Sequence, residues 1–141
     1  MNTPRKTVED PCKKVAPDVE TVIIGAGFSG MCMAIKLQEA GKTDFTILEK
    51  AGDIGGTWRD NTYPGCACDV PSHLYSFSFE GNPEWSRMYS GQQEIWAYQK
   101  RVADKYDLRK YCRFNEGIES ASFDEETLLW KVKTLKGNEI A

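Results

Sequence analysis

Hydrophobic and polar positions along this chain change period several times, and each change marks an element. Thr21, Val22, Ile23 and Ile24 are a β-branched run that ends in glycine. That pattern predicts a short buried strand over 20–24. From Phe28 to Ala40 the spacing turns helical: Met31, Ala34, Ile35 and Leu37 form most of one apolar face, and Gly41 is placed to end the helix. A second apolar run predicts a strand over 44–48. Strand, helix and strand make a βαβ unit, whose crossover is expected to be right-handed. Residues 1–18, interrupted by Pro4, Pro11 and Pro17, are expected to be a flexible arm.

The pattern then breaks. Half of the 12 glycines and half of the 6 prolines fall between Gly52 and Gly91, among many aromatics and without a sustained helical period. A structureless loop of that length is unexpected in a compact domain, so the segment is read as shaped around a ligand. Helical spacing returns over 92–107 with Ile95, Tyr98, Val102 and Tyr106. Lys100, Arg101, Asp104 and Lys105 supply its solvated face. Residues 113–115, 118–123 and 128–134 are strand candidates, with the polar DEET of 124–127 as the turn between the last two. This end is expected to be a small antiparallel excursion, with Trp130 on a buried strand face. Trp85 and Trp96 are also expected to pack. The fold class is therefore α/β: a Rossmann-like βαβ unit, a cofactor loop, one further helix and the antiparallel excursion. Residues 19–141 form one partial domain.

Composition narrows the function classes. With 18 Lys+Arg against 21 Asp+Glu, the net charge is −3. A dedicated nucleic-acid binder would show a basic stripe instead. Mean hydropathy is −0.52, and no apolar run is long enough to predict a membrane span. Five cysteines, an odd number, with no apolar leader in the first residues, predict reduced thiols and a cytoplasmic location. Cys66-Ala67-Cys68 lacks the CxxC spacing of zinc sites, and His73 is the only histidine, so no metal site is expected. His73 itself reads as a turn or cap residue, and one histidine gives no basis for a nucleophile triad.

The chemistry lies in Gly25-Ala26-Gly27-Phe28-Ser29-Gly30, a GxGxxG between the first strand and its helix. Gly25 permits the tight turn, Gly27 the close approach of a pyrophosphate, and Gly30 the packing of helix on sheet. The helix N-terminus, including Phe28 and Ser29, offers N–H groups to phosphate. Glu49 ends the second strand 19 residues after Gly30 and can accept hydrogen bonds from both ribose hydroxyls of an adenosine. Lys50 beside it either flanks the adenine or is simply solvated. The βαβ unit alone does not separate NAD from FAD. Gly55-Gly56-Thr57-Trp58, six residues on, lets a second backbone segment approach a cofactor, and here the sequence resembles the two-dinucleotide-domain flavoproteins, in which such a glycine pair follows the FAD-binding βαβ unit.

The run from Gly56-Thr57-Trp58-Arg59 through Tyr63-Pro64-Gly65 and Asp69-Val70-Pro71-Ser72 to His73-Leu74-Tyr75 resembles the long N-terminal motif of Baeyer–Villiger monooxygenases, relatives of the flavin-containing monooxygenases. The resemblance runs from about residue 20 onward. It implies FAD on Gly25, Gly27, Gly30 and Glu49, with Gly56, Thr57 and Trp58 along the flavin. Asp69 would be the catalytic residue, organising an active-site arginine, with Val70 and Tyr75 also at the cofactor. Thr62 stands where many members carry arginine, which reads as a subgroup feature. The family's reaction consumes NADPH and O2 and inserts oxygen beside a ketone through a C4a-peroxyflavin. Such a species must be kept from water, and Trp58, Tyr63, Tyr75, Phe77 and Phe79 are candidates for the excluding wall. Phe77 and Phe79 alternate with serines, which predicts a strand with one buried face and makes these two core residues first.

The second glycine motif for NADPH, the histidine-containing fingerprint and the active-site arginine have no match, so the chain reads as incomplete relative to the family. Two readings stay open: the FAD-binding portion of such a monooxygenase, or a natural short member. The short member would bind flavin or another small molecule, or run non-redox chemistry on Asp69 or His73. A homo-oligomer could close a sheet edge left bare.

Overall fold

The computed structural model describes residues 15–141. β1 (Thr21–Ile24), α1 (Phe28–Glu39) and β2 (Phe45–Leu48) form the βαβ unit, with β1 and β2 parallel and Ile23 opposite Ile47. α1 ends where the sequence predicts. Gly41 takes φ +74°, its N–H donates to the Gln38 carbonyl, and the Lys42 N–H donates to that of Leu37. This pair of bonds is a Schellman closure.

The cofactor loop contains a one-turn helix, α2 (Thr57–Asp60), which the aperiodic sequence does not reveal. Residues 76–79 do not form the expected strand. Only isolated bridges, Phe77 with Glu80 and Ala67 with Gly91, tie this segment. Phe77 is nevertheless buried and stacks on Phe79 at 5.1 Å. α3 (Gln92–Lys105) is shorter than expected because Asp107 turns left-handed at φ 51°. A 3-10 turn (Leu108–Tyr111) follows. Ile95, Tyr98 and Val102 are buried, and Lys100 lies over the Trp96 ring.

The strand expected at 113–115 belongs elsewhere than predicted. β3 (Cys112–Arg113) pairs parallel with β2, so the main sheet has order β1-β2-β3. The antiparallel sheet is β4 (Ile118–Asp124), β5 (Leu129–Thr134) and β6 (Glu139–Ile140), in that order. β6 was not expected: two residues carry no periodicity.

Side chains of the parallel sheet alternate between two cores. Ile23, Phe45 and Ile47 join Met31, Ala34 and Ile35 of α1 and Ile95, Tyr98 and Val102 of α3. Leu48 faces the other way, with Val132 and Ile140 of the antiparallel sheet and half-buried Val22. Trp130 corrects the sequence reading, because it is 58% exposed. It shares a face with buried Val132 and Thr134 but sits one residue inside the start of β5, near the hairpin turn, with its ring 5.6 Å from that of Phe123. The expected arm also needs revision at its end. Residues 1–14 lie outside the described residues, but the Asp18 N–H donates to the Ala141 carbonyl at 2.7 Å and the Ala141 N–H donates to Asp18 Oδ2 at 3.0 Å.

Candidate functional site

Parallel strands point their C-terminal ends at one crevice, and the chemistry-bearing residues of an α/β sheet collect there. Here Ile24 leads into the Gly25 turn, where φ is +89°. Gly27 caps α1 from an extended conformation without a side-chain cap, and the first turn carries no acidic residue. The first intrahelical bond is that of the Met31 N–H to the Gly27 carbonyl. The N–H groups before it are the unsatisfied donors of a helix start, at the positive end of its dipole. Gly30 lies against the turn itself, since a Cβ there would fall 1.9 Å from the Gly25 carbonyl oxygen.

The second glycine pair crosses this turn. The Gly55 N–H donates to the Ala26 carbonyl at 2.9 Å, and a Cβ at Gly56, itself at φ +54°, would lie 3.2 Å from Gly27 Cα. Gly55 sits under Trp96, whose Nε1 donates to the Ile54 carbonyl at 2.9 Å. The two backbones therefore meet with no side chain between them, and it is Gly56, at positive φ and tight against Gly27 Cα, that requires glycine; a Cβ on Gly27 would lie at ordinary contact distance, 3.7 Å from Gly56 Cα.

On either side of the crossing the surface is concave. One depression of about 400 Å³ runs from Gly25, Gly27 and Gly56 past Glu49, Lys50 and Arg59 to Gly117 and Ile118. The other, about 320 Å³, runs from the same glycines over Phe28, Ser29 and Gly30 to Trp58 and Tyr75. The two depressions adjoin, with Ile24, Gly25, Gly27, Gly56 and Thr57 lining both, and make up the groove over the helix start. A larger apolar concavity of about 550 Å³ runs along the free edge of β1 beside Trp130 and meets the groove at Ile24. It has few polar groups to orient a ligand and is the bare side of an edge strand.

Glu49 is buried at one end of the groove. Its Oε2 accepts the Ala26 N–H at 2.8 Å, and its Oε1 accepts the Ala51 N–H at 2.9 Å and Arg59 Nη1 at 3.0 Å. Its backbone is clamped to the end of β3, its N–H donating to the Arg113 carbonyl and its carbonyl accepting the Glu116 N–H. Sequence reasoning missed Arg59. Its place in the motif was visible, but its contact with Glu49 depends on α2 folding back over β2.

At the other end Trp58 Nε1 donates to the Tyr75 hydroxyl at 3.0 Å. Tyr75 packs edge-on against both Trp58 and Phe28, and Phe28 against Phe77. Four of the five candidate wall aromatics thus form one cluster with Phe28. Tyr63 is the exception: it is 60% exposed and hydrogen-bonds Cys66, which raises the phenol pKa. Asp69 and Val70 are exposed and do not line the groove. His73 is exposed in a turn, its carbonyl accepting the Ser76 hydroxyl. Cys112 is held by burial as a thiol, its pKa pushed up to about 11.

The fit to a dinucleotide is local and specific. The turn, the uncapped helix start and the two facing glycines leave room for a pyrophosphate where any Cβ would intrude. A buried carboxylate lies on one side and an aromatic platform on the other.

Comparison with known proteins agrees with this geometry. A family model described as an NAD(P)-binding Rossmann-like domain matches residues 23–91. A Baeyer-Villiger monooxygenase of Streptomyces coelicolor is 52% identical over 125 residues, 89% of this chain and 24% of that protein. One of Pseudomonas aeruginosa is 49% identical over 128 residues, 91% of this chain and 24% of the relative. Among solved structures, an oxidized steroid monooxygenase bound to NADP superposes with TM-score 0.80 at 41% identity, over 86% of this chain and 24% of that one. The OTEMO complex with FAD and NADP superposes with TM-score 0.83 at 35% identity, over 89% and 24%. The chain spans about a quarter of the length of these relatives.

Proposed function

We propose that this chain, which belongs to the Baeyer–Villiger monooxygenase family, is the FAD-binding N-terminal portion of such an enzyme, with residues 19–141 as a partial FAD domain. The observation that carries this reading is the pair of adjoining depressions on either side of the Gly27–Gly56 crossing, one holding Glu49 and the other the Trp58–Tyr75 pair. There the N-terminal N–H groups of α1 would take the pyrophosphate. Glu49 would take the adenosine ribose, with Lys50 at the exposed rim. Gly56, Thr57 and Trp58 would run along the rest of the cofactor. Tyr75 fixes the Trp58 indole by accepting its N–H, and their cluster with Phe28 keeps water from that end. Bound there, FAD supplies the redox-active ring that the family's oxygen insertion requires.

The reaction assigned to the whole fold is NADPH- and O2-dependent oxygen insertion next to a ketone. Asp69, exposed on the loop, would pair with an active-site arginine and so act by positioning it. NADPH, the ketone and that arginine would be met by parts of the fold beyond the groove described. The four described cysteines are unpaired, which supports a reducing, cytoplasmic compartment. No helix among the described residues is long and apolar enough to cross a membrane. The free edge of β1, with Ile24 62% exposed, suits pairing with a further strand, from a longer chain or a second copy.

The test is titration of the purified chain with FAD, followed by the visible spectrum and flavin fluorescence. A perturbed flavin spectrum saturating at one per chain is the expected result. A folded chain that leaves the flavin spectrum unchanged at high protein concentration refutes the assignment.

A further inference from the structure

The groove contains a cation that the glycine motif does not explain. Arg59, on α2, has a side chain only 10% exposed. Its Nη1 donates to Glu49 Oε1 and to the Asp53 carbonyl, and its Nε donates to Asp60 Oδ1 at 2.9 Å. Its Nη2 lies 2.8 Å from the same Asp60 oxygen, within ion-pair range but without hydrogen-bond alignment. Burial works against the charged guanidinium, and Asp60 and Glu49 outweigh it, so its pKa stands above the ordinary value.

Glu49 is buried more deeply, with a side chain 4% exposed. An ionised carboxylate offers about four acceptor positions. Two on Oε1 are filled, by Ala51 and Arg59, and one on Oε2 by Ala26. The position left over is on Oε2, the oxygen held by the N–H of the residue between Gly25 and Gly27. A ribose can therefore be taken by one hydroxyl on Oε2 with every protein bond intact. A second hydroxyl would have to displace a donor from Oε1.

We propose that Arg59 is the positioning residue for Glu49: it saturates Oε1 and fixes the orientation of the carboxylate, so that Oε2 receives a single ribose hydroxyl of an adenine nucleotide. The inference rests on reading the groove as an adenosine-diphosphate site. Without Arg59 the two backbone N–H groups remain, but Oε1 loses its side-chain donor and the carboxylate is free to turn. That change weakens the hydroxyl's bond and leaves the pyrophosphate contacts on the glycine turn untouched.

The experiment compares ADP with 2′,3′-dideoxy-ADP by calorimetric titration into the full chain, in the wild type and in Arg59→Gln. The wild type is expected to prefer ADP by about tenfold, the scale of one hydrogen bond to a charged group. In Arg59→Gln the preference falls to about twofold or less, because only the hydroxyl term is lost. A structural role alone weakens both nucleotides equally and preserves the ratio, and that outcome overturns the proposal. So does tighter ADP binding in the variant with the ratio preserved, which would make Arg59 a competitor of the ribose. A wild type that binds both nucleotides equally overturns the ribose reading of Glu49 itself. Should Arg59→Gln not fold, Arg59→Lys takes its place, since it keeps the charge and loses the planar fork. Its ratio is expected to fall about threefold, and an unchanged ratio overturns the proposal.

Discussion

Replacing Gly30 by alanine places a methyl carbon 1.9 Å from the Gly25 carbonyl oxygen, 3.1 Å from its carbon and 3.3 Å from Ile23 Cγ2. An ordinary carbon–oxygen contact is about 3.3 Å or more, so α1 must move off the turn by roughly 1.4 Å. The obstacle is backbone, so no side-chain rotation relieves it. Overpacking of this kind costs about 1–3 kcal/mol or more. Alanine recovers at most about 1 kcal/mol through its better helix propensity. A 1.9 Å approach to backbone places the cost at the upper end, about 3 kcal/mol, so the net expectation is a loss of about 2 kcal/mol. With a urea m-value of about 1–3 kcal/mol/M for a chain of this size, the unfolding midpoint falls by about 1 M. Gly81→Ala is the control, because nothing lies within 4 Å of its Cβ and its backbone is unstrained. Its midpoint should move by less than about 0.5 kcal/mol equivalent. A Gly30→Ala midpoint equal to or above the wild type would mean that helix propensity outweighs the contact, and the packing argument for the third glycine would fail. The same displacement pulls the helix start away from the groove, so FAD binding should weaken in the variant even well below its unfolding midpoint.

Three further outcomes are expected. Tyr75→Phe removes the acceptor of the buried Trp58 N–H and should cost about 1–2 kcal/mol, with a shift in tryptophan emission; unchanged emission and stability would show that the indole finds another partner. The carboxyl pKa of Glu80 is lowered chiefly by its bond from Lys105, and that of Glu94 chiefly by the Ser86 N–H. A carboxylate with a folded pKa below its unfolded one stabilises above the unfolded value, about 4.3, and loses this as pH falls through the folded value. The urea midpoint should therefore be flat between about pH 5 and pH 8 and decline below about pH 4, with a shallower decline in Glu80→Gln; an identical acid profile in that variant would show that the Lys105 pair does not differ between folded and unfolded chains. Burial raises the Cys112 thiol to about 11, so at pH 8 its thiolate fraction is about a hundredfold below that of an ordinary cysteine. Iodoacetamide mass mapping should find Cys112 labelled much more slowly in the folded chain than in the urea-unfolded one, and equal rates would refute the raised thiol pKa.

Much of this molecule was legible from local pattern. β1, α1 and β2 carry runs and periods that hold whatever surrounds them. The GxGxxG turn is legible for the same reason: its glycines answer to steric demands set within a few residues, as Gly30 against Gly25 shows. The aromatic cluster was legible as composition, and membership in it was not. Tyr63 carries the same ring as Tyr75 and ends exposed, while Phe77 is buried without the strand that its alternation predicted.

What only the tertiary structure decided concerns contacts between segments far apart in sequence. β3 reads like the strands after it, yet it joins the parallel sheet because the 3-10 turn delivers Cys112 beside Ile47. Trp130 has the hydrophobicity of a core residue, but its exposure depends on how far the opposing sheet extends, which no local window records. Glu49 is visible as an acidic residue at a strand end. That Ala26, Ala51 and Arg59 fill all but one of its acceptor positions follows from two chain crossings over the same strand end. Sequence determines residue types and local periods, because these are properties of neighbours along the chain. Burial, pairing and the spare capacity of a carboxylate are properties of neighbours in space, and folding alone sets those.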